Sequence, residues 1–110
     1  MKTNAHKDER AASLISQYAA EYLLTESSPE SLITVTKTEM SDRGRRALIF
    51  LSVLPTEKEA AALTFAKRKC NDFRLFVQSK KSFGFAPRFD FALDYGERNR
   101  QRIDELSNQG

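Results

Sequence analysis

Two neighbouring segments of the chain alternate apolar and polar residues with the two-residue period of a β-strand. In residues 31–39, Ile33 and Val35 alternate with threonines, and residues 46–54 carry a second alternating run. The apolar face of that second run consists of Ala47, Ile49, Leu51 and Val53. Residues 41–44, which separate the two runs, are mostly turn formers. The pattern predicts an antiparallel hairpin, which constrains every sheet that this chain can build.

Helical spacing precedes and follows the hairpin. Residues 8–25 place apolar side chains on one face of a helix, namely Ile15, Tyr18, Ala19, Tyr22 and Leu23. Pro55 should end the second strand because it has no N–H for the sheet. Thr56 and Glu59 match a capping box, so a second helix is predicted over residues 57–70.

A kink is predicted where residues 71 and 72 interrupt the second helix. Asn71 tolerates a left-handed backbone, and Asp72 can cap a new helix over residues 73–82. The inward residues of that helix are Phe73, Phe76 and Val77. A last strand over residues 88–94 and a last helix over residues 96–107 complete the pattern.

The resulting order, α-β-β-α-kink-α-β-α, predicts an α+β fold in which helices pack on one face of a three-stranded mixed sheet. A chain of 110 residues suits one domain spanning residues 1–110, with residues 1–7 expected to be mobile. The lone cysteine, Cys70, excludes an internal disulfide framework. With no signal-peptide pattern and no apolar run long enough to span a bilayer, we expect a cytoplasmic protein.

Positive charge is concentrated in one part of the chain. The net charge of the whole protein is +3, yet residues 67–88 contain seven basic residues and one acidic residue. Such a concentration attracts polyanions, although a solvated lysine-rich surface is an equally simple interpretation. A second basic group, formed by Arg43, Arg45 and Arg46, flanks the predicted hairpin turn.

The order and spacing of these segments resemble the type II KH fold and, within it, the ribosome-binding factor A family. The matching segments are residues 32–41 (LITVTKTEMS), 45–55 (RRALIFLSVLP), 73–80 (FRLFVQSK) and 87–106 (PRFDFALDYGERNRQRIDEL). Within them the matching positions are Glu39–Met40–Ser41, Phe73, Arg74, Pro87, Phe89, Phe91, Asp94, Ile103 and Leu106. Together the matches cover roughly residues 8–106.

The resemblance implies a non-catalytic factor in ribosome biogenesis. Members of the family associate with the maturing 30S subunit, favour 16S rRNA processing, often in cold adaptation, and leave before translation. The resemblance also implies that the partners of this chain are 16S rRNA and the free 30S subunit. No cofactor, metal, membrane or small-molecule substrate is implied, and we expect a monomer.

The predicted rRNA-binding residues are cations that can neutralise phosphates without reading sequence, together with one asparagine at the kink. They are Arg43, Arg45, Arg46, Lys67, Arg68, Lys69, Asn71, Arg74, Lys80, Lys81 and Arg88. The family kink usually reads Ala-x-Gly, and the matching residues here are Lys69, Cys70 and Asn71. The lysines near the kink can instead complement a helix C-terminus, and the hairpin arginines can protect a sheet edge.

Two other functions remain open at this point. A general KH-type RNA-binding module is one, although the chain lacks the GxxG loop that clamps RNA in such domains. A protein-interaction module is the other, with the outer hairpin face of Leu48, Phe50 and Leu54 as its surface.

Phe83 and Phe85 are expected to close the core, or else to stack on unpaired bases. No motif for a catalytic or metal site is present, so we do not expect an enzyme.

Overall fold

The described part of the chain has three α-helices and three strands in the order α-β-β-α-α-β. The computed structural model describes residues 2–26, 30–80 and 86–96, with side chains from Glu9 onward. The helices are α1 (Lys2–Glu26), α2 (Glu59–Arg68) and α3 (Cys70–Ser79), and the strands are β1 (Leu32–Ser41), β2 (Arg46–Leu54) and β3 (Arg88–Leu93). Asp42–Gly44 forms a tight left-handed turn, and Thr56–Lys58 forms a short 3-10 turn. The helix predicted over residues 96–107 falls almost entirely outside the described residues.

Strand β2 lies at the centre of the sheet, with the order β1-β2-β3. It pairs antiparallel with β1, and it pairs parallel with β3 in a register that sets Ile49 beside Phe91. A β-bulge between Val35 and Lys37 leaves Thr36 as the extra residue on β1. The predicted hairpin and the predicted mixed sheet are therefore both confirmed.

The core lies between the three helices and one face of the sheet. Its fully buried residues from β2 are Ala47, Ile49, Leu51 and Val53, the face predicted from the alternation. Helix α1 contributes Ile15, Ala19, Tyr22 and Leu23, and α3 contributes Phe73 and Val77. Because burial of apolar surface is the main driving force of folding, these faces fix the rotation of each helix against the sheet.

The kink between α2 and α3 lies at Lys69, the first of the three residues that the resemblance matched to the family kink, and not at Asn71 and Asp72, where the residue pattern placed it. Lys69 has φ −91° and ψ 2°, whereas Asn71 lies within the first turn of α3. The Lys69 N–H donates to the Ala66 carbonyl, and the Lys69 carbonyl accepts from the Phe73 N–H at 2.8 Å. Lys69 therefore adopts the bridge region of backbone conformation, between helix and strand, and changes the direction of the chain while both helices stay hydrogen-bonded to it. A left-handed residue is not needed for this change of direction.

The starts of the helices also differ from the prediction. Helix α1 begins at Lys2, earlier than predicted, and α2 begins at Glu59 after a 3-10 turn. Because Lys58 occupies the N-cap of α2 without a side-chain capping bond, Thr56 does not cap the helix as the S/T-x-x-E pattern suggested. Asp72 lies in the first turn of α3, where its negative charge still interacts favourably with the positive end of the helix dipole.

Left-handed backbone occurs in the hairpin turn. Asp42, Arg43 and Gly44 have φ values of 52°, 56° and 81°. The Arg45 N–H donates to the Asp42 carbonyl at 3.0 Å and closes the turn. Residues other than glycine rarely adopt positive φ, and aspartate tolerates it better than arginine. The turn therefore directs the chain into β2 at the expense of some backbone strain.

Replacement of Gly44 by alanine should lower the free energy of unfolding by about 1 kcal/mol. An added Cβ would meet no atom within 4 Å, so the loss would come from the backbone conformation alone. Urea denaturation measures this loss in the free energy of unfolding. Gly44→Asn is the control, and it should be less destabilising because asparagine tolerates this conformation. Equal stability of the alanine variant and the unmodified protein would contradict the left-handed turn.

Candidate nucleic-acid interface

Four arginines from three separate elements line one open depression at the end of the sheet. Arg45 and Arg46 follow the hairpin turn, Arg74 comes from α3, and Arg88 opens β3. Asp42 and Ala86 complete the lining of this cavity of about 310 Å³. We call it the arginine depression. The arginines are separated widely along the sequence, so only the tertiary fold brings them together.

The register of the sheet places Arg46 and Arg88 side by side. They are direct partners in the parallel pairing of β2 with β3, and such strands lie about 4.8 Å apart. The Arg88 N–H donates to the Arg45 carbonyl at 2.8 Å, which holds the start of β3 against the end of the turn. Like charges on adjacent strands repel, so this arrangement costs folding energy unless an anion lies between them.

Arg74 is directed away from the core by its neighbours on α3. Phe73 and Val77 are fully buried against the sheet, which leaves Arg74 on the exposed side of the helix. Among the described residues, none of the four arginine side chains of the depression forms an ion pair or hydrogen bond with another side chain. Their guanidinium donors are therefore available for an anion.

Three of the four predicted lysines, in contrast, have carboxylate neighbours, and the fourth, Lys81, lies outside the described residues. Lys67 Nζ lies 2.9 Å from an Asp90 carboxylate oxygen, and Lys80 Nζ lies 3.5 Å from Glu21. Lys69 Nζ is 3.9 Å from Glu26. Ion pairs at such exposure contribute little to stability, about 0–1 kcal/mol each. They do neutralise charge, so these lysines present a weaker positive field than the arginines.

The other predicted residues lie outside the depression. Arg43 is exposed in the hairpin turn, Arg68 is exposed at the end of α2, and Asn71 is exposed on α3. Lys81, Phe83 and Phe85 lie outside the described residues. Asp42, which lines the depression, was not among the predicted site residues. No pattern in the sequence indicates that its carboxylate lies close to the arginines in the fold.

The outer face of the sheet is less apolar than the sequence suggested. Leu48 and Phe50 are half-buried, and the Lys37 ammonium lies 4.8 Å from the centre of the Phe50 ring. Leu54 is 57 % exposed beside its cross-strand partner Leu32, which is 61 % exposed. An apolar partner surface would therefore have to centre on this leucine pair, at the opposite end of β2 from Arg46.

Cys70 has the environment of a structural thiol. Burial raises its pKa, the Asp90 carboxylate raises it further, and Lys67 opposes the rise. A raised pKa disfavours the thiolate, which is the reactive form. Over the described ranges, no three His, Cys, Asp or Glu side chains gather as metal ligands would.

Two solved structures share this architecture. The crystal structure of ribosome-binding factor A from Thermus thermophilus matches with a TM-score of 0.67 and 17 % identity, over 78 % of this chain and 94 % of that chain. The solution NMR structure of a Thermotoga maritima protein assigned as a putative ribosome binding factor A matches with a TM-score of 0.70 and 26 % identity, over 84 % and 91 % of the two chains. This chain has the fold of ribosome-binding factor A.

The structural match confirms the resemblance and the α+β fold that were predicted from the sequence. Neither a protein-family model nor a curated protein sequence matches the chain. The likeness to ribosome-binding factor A is therefore carried by the arrangement of helices and strands. None of the described helices combines the length and apolar character of a membrane-crossing segment.

Proposed function

We propose that this protein is a non-catalytic assembly factor that binds 16S rRNA in the immature 30S subunit and promotes late maturation of that subunit. The observation that carries the proposal is the arginine depression, four arginines without side-chain partners among the described residues, on a fold shared with ribosome-binding factor A. We further propose that the chain acts as a single domain, as a monomer and in the cytoplasm.

The chemistry of guanidinium groups suits this function. Arginine presents five N–H donors in a planar fork that matches phosphate oxygens, and it remains charged at every physiological pH. Folded rRNA would be recognised mainly by shape and by its backbone. A factor that binds one rRNA arrangement better than another shifts the balance between them, so maturation can be promoted without any catalysed reaction.

The remaining predicted residues would extend the contact beyond the depression. They are Arg43, Lys67, Arg68, Lys69, Asn71, Lys80 and Lys81, of which Lys81 lies outside the described residues. The lysines would exchange their carboxylate partners for phosphates. Because these ion pairs are surface-exposed, we expect the exchange to be nearly neutral in energy.

Co-sedimentation in sucrose gradients tests the proposal. The tagged protein should travel with free and immature 30S subunits and not with 70S ribosomes, and its binding should weaken steeply as salt increases. Folded protein that stays at the top of the gradient at low salt would refute the proposal. Binding that does not change with salt would instead favour apolar docking through Leu32 and Leu54.

A further inference from the structure

We propose that the arginine depression is a discrete site for two closely spaced phosphate groups. Where those phosphates belong to RNA, the inference rests on the proposed function and specifies what is bound, namely a sharply bent or bulged backbone. Where they belong to a small anion, pyrophosphate has the same chemistry.

The charge of the lining exceeds what one phosphodiester requires. Four arginines and Asp42 leave a net charge of +3 around the cavity. A phosphodiester carries a single negative charge, so two neighbouring phosphates balance the lining better than one does.

The distribution of carboxylates distinguishes the depression from an ordinary basic surface. Lys67, Lys69 and Lys80 each have an acidic side chain within 4 Å. Within the described parts of the chain, no such ion pair is formed by the four arginines of the depression, although Asp42 is part of the same lining. Exposed Arg43 and Arg68 form no such ion pair among the described residues either, but the depression gathers four unpaired guanidinium groups in one cavity, where a ligand can complete the charge balance.

The residues that support the site are held by backbone hydrogen bonding or by packing on the core. Arg88 is bonded through its N–H to the Arg45 carbonyl, and the nearby Ala86 is fully buried. Arg74 projects from a helix held by buried Phe73. Side chains that project from fixed elements lose less freedom on binding than side chains on mobile loops. The bound phosphates should therefore occupy one defined position.

Titration of the full-length protein with pyrophosphate, followed by NMR of the arginine side-chain N–H signals, tests this inference. We expect saturable binding of one pyrophosphate per protein, with the signals of the depression shifting most. Arg46→Gln and Arg88→Gln should each weaken binding about tenfold or more, as expected when one charged hydrogen-bonding group is lost. Asp42→Asn should tighten binding about threefold, because it removes the opposing charge and suits the left-handed turn.

Lys58→Gln is the matched control, since Lys58 follows the end of β2 opposite Arg46 and its loss changes the net charge by the same amount. It should alter the affinity less than about twofold, as expected for a screened distant charge. If Lys58→Gln weakens binding as much as Arg46→Gln does, or if Asp42→Asn has no effect, the discrete site is wrong. Co-sedimentation with 30S would then still decide the proposed function independently.

Competition with RNA identifies the source of the phosphates. A bulged RNA duplex should displace pyrophosphate at lower concentration than a fully paired duplex of equal length, because only the bulge brings backbone phosphates close together. If neither duplex displaces it, the site is one for small anions. The site then stands, whereas failure of the protein to sediment with 30S would remove the proposed function alone.

Discussion

Replacement of Phe73 by alanine should lower the free energy of unfolding by about 3–5 kcal/mol. Phe73 is completely buried, and its ring centre lies 4.8 Å from that of Phe89, 5.5 Å from Tyr22 and 6.0 Å from Phe91. It thereby joins α1, α3 and β3 in one aromatic cluster. The loss is a large part of the roughly 5–15 kcal/mol that stabilises a typical domain, so Tm should fall by more than about 10 °C.

Leu75→Ala is the control on the same helix. Leu75 is 64 % exposed, so its truncation should change the free energy of unfolding by less than about 0.5 kcal/mol. Both variants can be compared by urea denaturation followed by far-ultraviolet circular dichroism. Equal losses would show that α3 does not present Phe73 to the core in solution.

Removal of the four arginines of the depression should reduce affinity for the 30S subunit by about 100-fold or more. The variant is Arg45→Gln, Arg46→Gln, Arg74→Gln and Arg88→Gln together. All four side chains are exposed, so glutamine should leave the fold intact while removing the charges. Sedimentation over a range of salt concentrations gives the affinity, and the logarithmic salt slope should fall by about one for each phosphate that is no longer neutralised.

A lysine variant provides the comparison. Lys67→Gln, Lys69→Gln and Lys80→Gln together should reduce 30S affinity by less than about tenfold, because each lysine already has a carboxylate neighbour. If the lysine variant loses as much affinity as the arginine variant, net charge governs binding and the depression has no special role. Circular dichroism of both variants tests whether unfolding, and not the loss of charge, reduces the affinity.

Within the described residues, local patterns predicted the helices and strands and their buried faces, although not the starts of α1 and α2 or the residue at the kink. The alternation in residues 46–54 identified the buried side of β2, and the spacing of Ile15, Ala19 and Leu23 identified that of α1. Both succeed for the same reason: an element that buries one face must repeat apolar residues at its own period. The charge density of residues 67–88 likewise indicated a basic surface without its geometry.

Positions that depend on two elements at once were not predictable from local patterns. The kink lies at Lys69 because α2 and α3 must both meet the sheet, and no property of Lys69 itself marks it. The left-handed backbone expected at Asn71 occurs instead at Asp42 and Arg43, where the hairpin must close. Backbone propensity is weak in comparison with the energy of packing, so tertiary contacts override it.

The candidate site shows the same difference between properties of the sequence and properties of the tertiary structure. The sequence by itself determined the hairpin, the faces of α1, β2 and α3, the mixed α+β fold and the presence of excess positive charge. Only the tertiary structure decided that Arg45, Arg46, Arg74 and Arg88 share one cavity while Lys67, Lys69 and Lys80 lie beside carboxylates. The physical reason is that strand register and helix packing join residues distant in sequence, whereas charge and periodicity are properties of neighbours along the chain.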